Sequence, residues 1–276
     1  MILWMIYDEK DYKNNNEYVK WFEEEGKILG IEVKLILRNE LDILISNKGH
    51  DFLYAGRLIS KPEAAINRTR DWKIANILEN ANVRVFNNSK INMLANDKLL
   101  SYSKASSLGL NVMYTDTVMY IEDNYIYKSR SGHGGNEVYF SNDENINRLR
   151  DIVNEDYLRQ SISSVVGKDL RVYIMAGEIL ISILRSSELD FRSNYKLGGK
   201  VRQYHLNDKQ KETVMKIVDT MELDYVGIDF LFDEEENLIF NEIEDPVGSR
   251  MVSKVAPEIN IAQKFLTHIK NSIQVE

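Results

Sequence analysis

The 276-residue sequence has no cysteine, which excludes disulfides, thiolate nucleophiles and Cys-ligated zinc. Its four histidines, His50, His133, His205 and His268, share no metal-ligand spacing, so nothing points to a His-rich zinc site. Proline occurs only as Pro62, Pro246 and Pro257, each in an expected loop or element end. Long apolar runs are missing as well. The apolar start Met1-Ile2-Leu3-Trp4-Met5-Ile6-Tyr7 stops at Asp8-Glu9-Lys10, far short of the roughly 20 residues that span a bilayer. It lacks a basic n-region and a small-residue cleavage site, so it reads as a buried first strand, and the cytoplasm is the expected location. Positive charge is also scarce. A net charge of −8 argues against broad, sequence-independent nucleic-acid binding, though a local basic pocket stays open. Neither a membrane nor a nucleic acid is an expected partner.

What is present is an ordinary globular composition, long enough for two or three modules with cores of their own. Residues 17–30 carry Val19, Phe22 and Ile28-Leu29 among charges, the spacing of an amphipathic helix ending near Gly30. Strands are expected at 31–37, 43–45, near 64–68 and at 83–86, with a helix over 71–80. That alternation predicts an open α/β layer over residues 1–95. A second region, 96–165, begins with a helix over 97–108 with Asp97 at its start. It continues with alternating segments at 112–120 and 124–130, a glycine-rich turn, a strand at 137–140, a polar helix over 142–153 and a strand at 157–163. The third region, 166–276, contains strands at 170–175 and 179–185, a loop over 186–199, a helix over 208–221, an acidic hairpin and a last helix over 259–273.

The hairpin is the most informative segment. Tyr225-Val226-Gly227-Ile228-Asp229-Phe230-Leu231-Phe232 and Leu238-Ile239-Phe240-Asn241-Glu242-Ile243-Glu244 are core-like strands that carry acid. Burying an unpaired carboxylate is costly, so a cation is expected beside them, and a hard metal ion holding phosphates suits oxygen donors. Residues i and i+2 of a strand share a face, so Glu242 and Glu244 point together and Asp229 can join them. The competing reading is a solvent-facing acidic hairpin, which Asp233, Glu234, Glu235 and Glu236 fit fully as turn residues.

The glycine-rich turn Lys128-Ser129-Arg130-Ser131-Gly132-His133-Gly134-Gly135-Asn136 lets backbone N–H groups approach a phosphate, with Lys98 and Lys128 as point charges. By itself it suits a plain hairpin turn better, and it matches neither the dinucleotide nor the P-loop fingerprint. Arg185 and Phe191-Arg192-Ser193-Asn194 form a group suited to carboxylate or phosphoryl oxygens, or simply a solvated loop. Arg68 and Arg70 follow a strand end where a carboxylate could dock, or where surface arginines could sit. His133 is either catalytic or an incidental loop residue. No Ser/His/Asp triad is evident.

In order, these pieces resemble the ATP-grasp superfamily, and most closely ligases similar to the ribosomal-protein S6 glutamate ligase (RimK type). The likeness rests on Ala64-Ala65-Ile66-Asn67-Arg68, Asn96-Asp97-Lys98-Leu99, Ile126-Tyr127-Lys128 with the glycine loop, Tyr157-Leu158-Arg159-Gln160-Ser161-Ile162 and Gly167-Lys168-Asp169-Leu170-Arg171. It continues through Asp190-Phe191-Arg192-Ser193-Asn194 with Gly198-Gly199, then Gly227-Ile228-Asp229 and Glu242-Ile243-Glu244, and covers about residues 64–255. It implies an N-terminal α/β domain followed by two α+β lobes gripping ATP between antiparallel sheets. It also implies carboxylate–amine ligation through an acyl phosphate. By that likeness, Lys98 and Lys128 bind ATP phosphates under Ser131, Gly132, Gly134 and Gly135. Gln160, Ser161 and Ile162 line the adenine hinge, and Asp169 lies near the ribose. Asp229, Glu242 and Glu244 hold two Mg²⁺ ions, with Mn²⁺ as a substitute. Arg192, Ser193 and Asn194, with Arg185, contact the phosphates and the acyl phosphate. The family often has asparagine at the Glu244 position, a proline five residues after the first glutamate rather than four, and an acid at the Ser161 position.

Two function classes follow. The first is an ATP-dependent ligase joining a small-molecule or peptide carboxylate to an amine, with a homodimer common among related ligases. The second is an ATP-binding module that uses nucleotide closure as a switch without turnover.

Overall fold

The computed structural model describes residues 1–118, 120–132, 137–141, 149, 151–187 and 200–274. The chain opens with β1 (Ile2–Tyr7), helices α1 (Glu9–Lys13) and α2 (Asn16–Leu29), and β2 (Glu32–Leu37). β1 is almost wholly buried, as expected of a strand covered on both faces. Helix α2 buries Val19, Phe22 and Gly26 and stops at Gly30, whose φ of 72° is the left-handed cap that glycine adopts at little cost.

Strands β3 (Leu41–Ser46), β4 (Gly49–Tyr54) and β5 (Arg57–Ile59) then form an antiparallel meander of their own. The open layer predicted for this region therefore does not run continuously. Residues 43–45 belong to the meander, and its other two strands carry no legible pattern because polar residues such as His50, Asp51 and Arg57 interrupt any apolar alternation. β6 (Ala64–Asn67), α3 (Trp72–Asn80) and β7 (Arg84–Phe86) complete a parallel sheet in the order β2-β1-β6-β7. β1 connects outward to β2 and β6 connects outward to β7, so the chain reverses its winding between β1 and β6.

After α4 (Ser89–Ala95) and α5 (Lys98–Ser107), a second sheet is built from β8 (Thr115–Asp116), β9 (Tyr125–Ser129), β10 (Val138–Phe140) and β11 (Tyr157–Ser161). Its order is β10-β9-β11-β8, antiparallel. Asp97 caps α5, accepting from the backbone N–H groups of Leu99 and Leu100. The predicted strand over 112–120 shrinks to two residues and pairs with β11, not β9. Beyond it, the Asp116 carboxylate accepts the Val118 N–H and binds Arg159, so side chains rather than a ladder satisfy this stretch. Most of the helix expected over 142–153 lies outside the described residues.

The third sheet contains β12 (Lys168–Met175), β13 (Glu178–Ser186), β14 (Lys200–Gln203), β15 (Tyr225–Phe232) and β16 (Leu238–Glu244) in the order β14-β13-β12-β15-β16. Helices α6 (Asp208–Val218), α7 (Arg250–Val255) and α8 (Ile261–Gln274) accompany it. One face of this sheet, with Leu170, Val172, Val226, Ile228 and Phe230, shares a core with Val214 and Ile217 of α6. The other face brings Tyr173 and Tyr225 into the core that α2, α8 and β1 share. Among the described residues no helix is long and apolar enough to cross a membrane.

Candidate functional site

β15 and β16 pair antiparallel, with Asp229 opposite Glu242 and Gly227 opposite Glu244. Between Asp229/Glu242 and Phe230/Phe240 the register shifts, leaving Asn241 as an extra residue. The shift has a clear physical effect. Phe240 and Ile243 are both buried in the same core although they are three residues apart, while Glu242 and Glu244 emerge on the opposite face with Asp229. A bulge re-aims side chains in this way. The alignment of the acidic trio on one face thus depends on one inserted asparagine.

Asp229 is 1% exposed, and the cation expected beside it is present in the chain. Arg171 of β12 donates to both its oxygens at 2.6 and 2.7 Å, and Arg185 of β13 donates at 2.6 Å. Arg185 also binds both oxygens of Asp169, and Arg171 reaches Glu244. Arg185 is therefore a buried residue of β13 and not part of a polar loop. Asp169, expected near a ribose, turns its carboxylate to Arg185. Although burial alone would raise it, the two guanidiniums hold the Asp229 carboxyl down at about 2. Burial pushes the Glu244 carboxyl up, and repulsion from Asp229 and Glu242 adds to this against the pull of Arg171.

The second sheet and α5 supply the opposing charge. Lys98, the first residue of α5, is buried; its Nζ donates to the Gly132 carbonyl and lies 3.6 Å from Glu242 Oε2. Lys128 of β9 donates to Asn241 Oδ1 at 3.1 Å and reaches the Tyr102 hydroxyl at 3.4 Å. Burial pushes the Lys128 amine down to about 8, with Glu242 pulling the other way. A buried ammonium held by an amide and a phenol, with no carboxylate in contact among the described residues, is a site prepared for an anion. Gln160 is buried, donating to the Thr115 hydroxyl at 2.9 Å, and Ser161 N–H donates to the Tyr114 carbonyl. Ile162 follows them directly, and Ser131 is exposed at the start of the glycine turn.

The structure thus brings together Lys98, Lys128, Glu242 and Asn241 across two sheets, and Asp169, Arg171, Arg185, Asp229 and Glu244 on one face of the third. His133, Gly134, Gly135, Arg192, Ser193 and Asn194 lie outside the described residues. Arg171, Asn241 and Tyr102 were not singled out from the sequence. Arg171 had a signal: Asp169 and Arg171 interrupt an apolar strand at i and i+2, as Glu242 and Glu244 do. Asn241 had one in the three-residue step from Phe240 to Ile243.

Four carboxylates (Asp169, Asp229, Glu242, Glu244) face four cations (Lys98, Lys128, Arg171, Arg185), so the cluster is close to neutral. The lysines fit phosphate oxygens. Carboxylate oxygens are the donors that Mg²⁺ prefers, and the side chains of Glu242 and Glu244 are 30% and 37% exposed, open to an ion. Among the described residues, however, no three acidic or histidine side chains are gathered round one point as a preformed metal cage.

An antiparallel sheet and the adjoining start of α5, each bearing a buried lysine, set against a second sheet bearing strand carboxylates, define a nucleotide-gripping ligase of the ATP-grasp type. The RimK-like ATP-grasp domain model matches residues 89–269, and the chain belongs to that family of ADP-forming ligases. It is 26% identical over 272 residues to the glutamate–LysW ligase ArgX of Sulfolobus acidocaldarius, covering 90% of this chain and 95% of ArgX. The macrocyclase MdnC of Microcystis aeruginosa MRC, solved with its precursor peptide MdnA, superposes with a TM-score of 0.71 at 16% identity, covering 99% of this chain and 100% of MdnC. The ATP-grasp ligase PsnB, solved with minimal precursor, Mg and ADP, superposes with a TM-score of 0.69 at 15% identity, covering 98% and 97% of the two chains.

Proposed function

We propose that this chain joins a carboxylate to an amine at the expense of ATP, on an amino-acid or peptide substrate, through an acyl phosphate. The observation that carries the proposal is the pair of buried lysines, Lys98 of α5 and Lys128 of β9, set against β16, where Lys128 is held among the described residues only by an amide and a phenol and so is ready for an incoming anion. On this reading residues 1–95 form an N-terminal α/β domain, 96–165 a lobe that covers the nucleotide, and 166–276 the lobe that carries the acidic hairpin.

In this mechanism a carboxylate oxygen attacks the γ-phosphorus of ATP and the bond to ADP breaks. The amine nitrogen then attacks the acyl carbon and phosphate leaves, with the amine proton passing to solvent or phosphate. The protein's part is positioning and charge compensation. Lys98 and Lys128 hold phosphate oxygens, and Ser131 and Gly132 border them, with Gly134 and Gly135 assigned to the same cover. Gln160, Ser161 and Ile162 flank the adenine, and Asp169 acts through Arg185. Glu242 and Glu244, with Asp229 behind them, would hold two Mg²⁺ ions, which supply Lewis-acid charge to phosphate oxygens when bound. Arg192, Ser193 and Asn194 are assigned to the transferring phosphoryl group.

The test is incubation of the protein with Mg-ATP and a panel of amino acids, dicarboxylates and short peptides, with nucleotide products resolved. ADP and phosphate formed only when an acid and an amine are both present are expected. AMP with pyrophosphate would overturn the acyl-phosphate route. Absence of any nucleotide turnover across the panel would favour a binding module.

A further inference from the structure

Arg68 follows β6 directly, and its N–H donates to the Ile6 carbonyl at 2.8 Å. It therefore sits beside Tyr7, at the carboxyl ends of β1 and β6, where the winding of the parallel sheet reverses. In open α/β sheets that crevice is where ligands bind. Its Nε donates to the Tyr7 hydroxyl at 3.2 Å and its Nη1 to the Val247 carbonyl at 2.9 Å. The guanidinium lies over the Tyr18 ring, 5.0 Å from its centre. Among the described residues the part-buried Arg68 forms no ion-pair contact; the buried Asp245 carboxylate feels its charge but accepts its own hydrogen bonds from Asn87 and Asn92.

Two further groups there have unused hydrogen-bonding capacity. The hydroxyls of Tyr18 and Tyr225 are both buried without a partner among the described residues, and both phenols lie within electrostatic reach of Arg68. Burial pushes both phenols up, so they keep their protons and remain donors. A guanidinium with no carboxylate in contact among the described residues and two idle phenol donors together match one ligand chemistry, a carboxylate.

The location links this group to the candidate site. Tyr225 and Gly227 share a face of β15, and Gly227 is the register partner of Glu244. Two residues along a strand span roughly 7 Å, the length of a small amino acid. Val247, which Arg68 holds, packs on Gly227 so tightly that a Cβ there would lie 2.9 Å from its side chain.

We propose that Arg68, Tyr18 and Tyr225 bind a free carboxylate of an amino-acid substrate, one that is not itself activated. The site would make this chain selective for substrates with a spare carboxylate. The inference rests on the ligase reading. The carboxylate has two possible sources, the second acid group of a dicarboxylic substrate or the α-carboxylate of the amine substrate.

Tyr18→Phe and Tyr225→Phe test it well, because each removes a hydroxyl that makes no bond within the described chain. Arg68→Met would also release Val247, and a folding defect could follow. Steady-state turnover would be measured with L-glutamate and glutarate as acids, free amino acids as amines, and the corresponding monoamides. KM for the carboxylate-bearing substrate should rise about tenfold in each Phe variant, with KM for ATP and the circular dichroism unchanged. Wild type should prefer free acid over monoamide by a similar factor, and the variants should lose that preference. The substrate whose monoamide is penalised identifies the source. Unchanged KM and unchanged acid preference in both Phe variants would overturn the proposal and leave the hydroxyls merely hydrated. If wild type turns over no substrate pair, the ligase reading fails, and calorimetric titration of glutarate decides the site separately. Binding to wild type that weakens in Tyr18→Phe supports it, and no binding to wild type overturns it.

Discussion

The two ends of the acidic hairpin carry the same kind of residue and treat it in opposite ways. At the turn, Asp233 is only partly covered and organises its own loop, accepting from the N–H groups of Glu235 and Asn237 and from the Asn237 amide. Its carboxyl is held below the usual range, first by the Asn237 side chain. Four residues earlier in the sequence Asp229 is sealed in the interior and held by Arg171 and Arg185. One acid is local and self-sufficient, whereas the other exists as a charge only because two neighbouring strands bring guanidiniums to it. The contrast shows that a carboxylate in a core strand need not imply a metal at that atom. Here the arginines neutralise Asp229 itself, and Glu242 and Glu244 are the more open donors.

The strongest way to break this comparison is Asp229→Ala. It leaves two buried guanidiniums without their shared partner, so unfolding stability should fall by about 3–5 kcal/mol, measured by urea titration. The pH dependence has a definite sign. The Asp229 carboxyl is lower in the folded state, at about 2, than its ordinary 3.8, so its contribution is present above about pH 4 and is lost as pH falls toward 2. The acid limb of the stability profile should flatten in the variant.

Next in size is Glu242→Gln. Its side chain is only partly buried, so the melting temperature should stay near wild type while turnover falls about a hundredfold or more. Near-normal turnover with unchanged Mg²⁺ dependence would remove Glu242 from the site.

Lys128→Met should weaken ATP binding by about tenfold, read by calorimetry. The same substitution has a pH signature without nucleotide. The Lys128 amine is pushed down from 10.5 to about 8 in the folded chain, so the unfolded chain binds more protons between these values. Wild-type stability should therefore gain a rising component from about pH 8 to 10.5, which the variant lacks. Smallest is Asp233→Ala, which should leave turnover unchanged and shift the melting temperature by about 2 °C at most.

Much of this was legible from local pattern. The amphipathic spacing of Val19 and Phe22 and the glycine at position 30 marked α2, and Asp97 marked the start of α5. The β15–β16 hairpin was readable because acid interrupts otherwise apolar strands on either side of a polar turn. The β3–β5 meander was not readable, because half-exposed strands with polar residues at mixed positions carry no period. The short length of β8 was hidden for a different reason. Asp116 and Arg159 are 43 residues apart, and only folding shows that their pairing replaces a ladder.

Arg185 illustrates the same limit within the candidate site. As one of two arginines at a polar loop it suggested recognition of carboxylate or phosphoryl oxygens. Its strand register instead sets it beside Asp169 and Asp229, and no residue next to it in sequence reveals this.

Sequence alone determined the kinds of groups available: oxygen donors rather than thiolates, lysines flanking a glycine turn, and two acids spaced to share a strand face. These are matters of composition and of local repeat, which the backbone geometry of a strand or helix translates directly. The tertiary structure decided which charges meet. It brought Lys98 and Lys128 across to β16, paired Arg171 and Arg185 with Asp229, and set Arg68 at the reversal point of the first sheet. Such pairings depend on strand order and on a one-residue bulge at Asn241. A single-residue change in register exchanges the two faces of a strand, so no local pattern could have specified them.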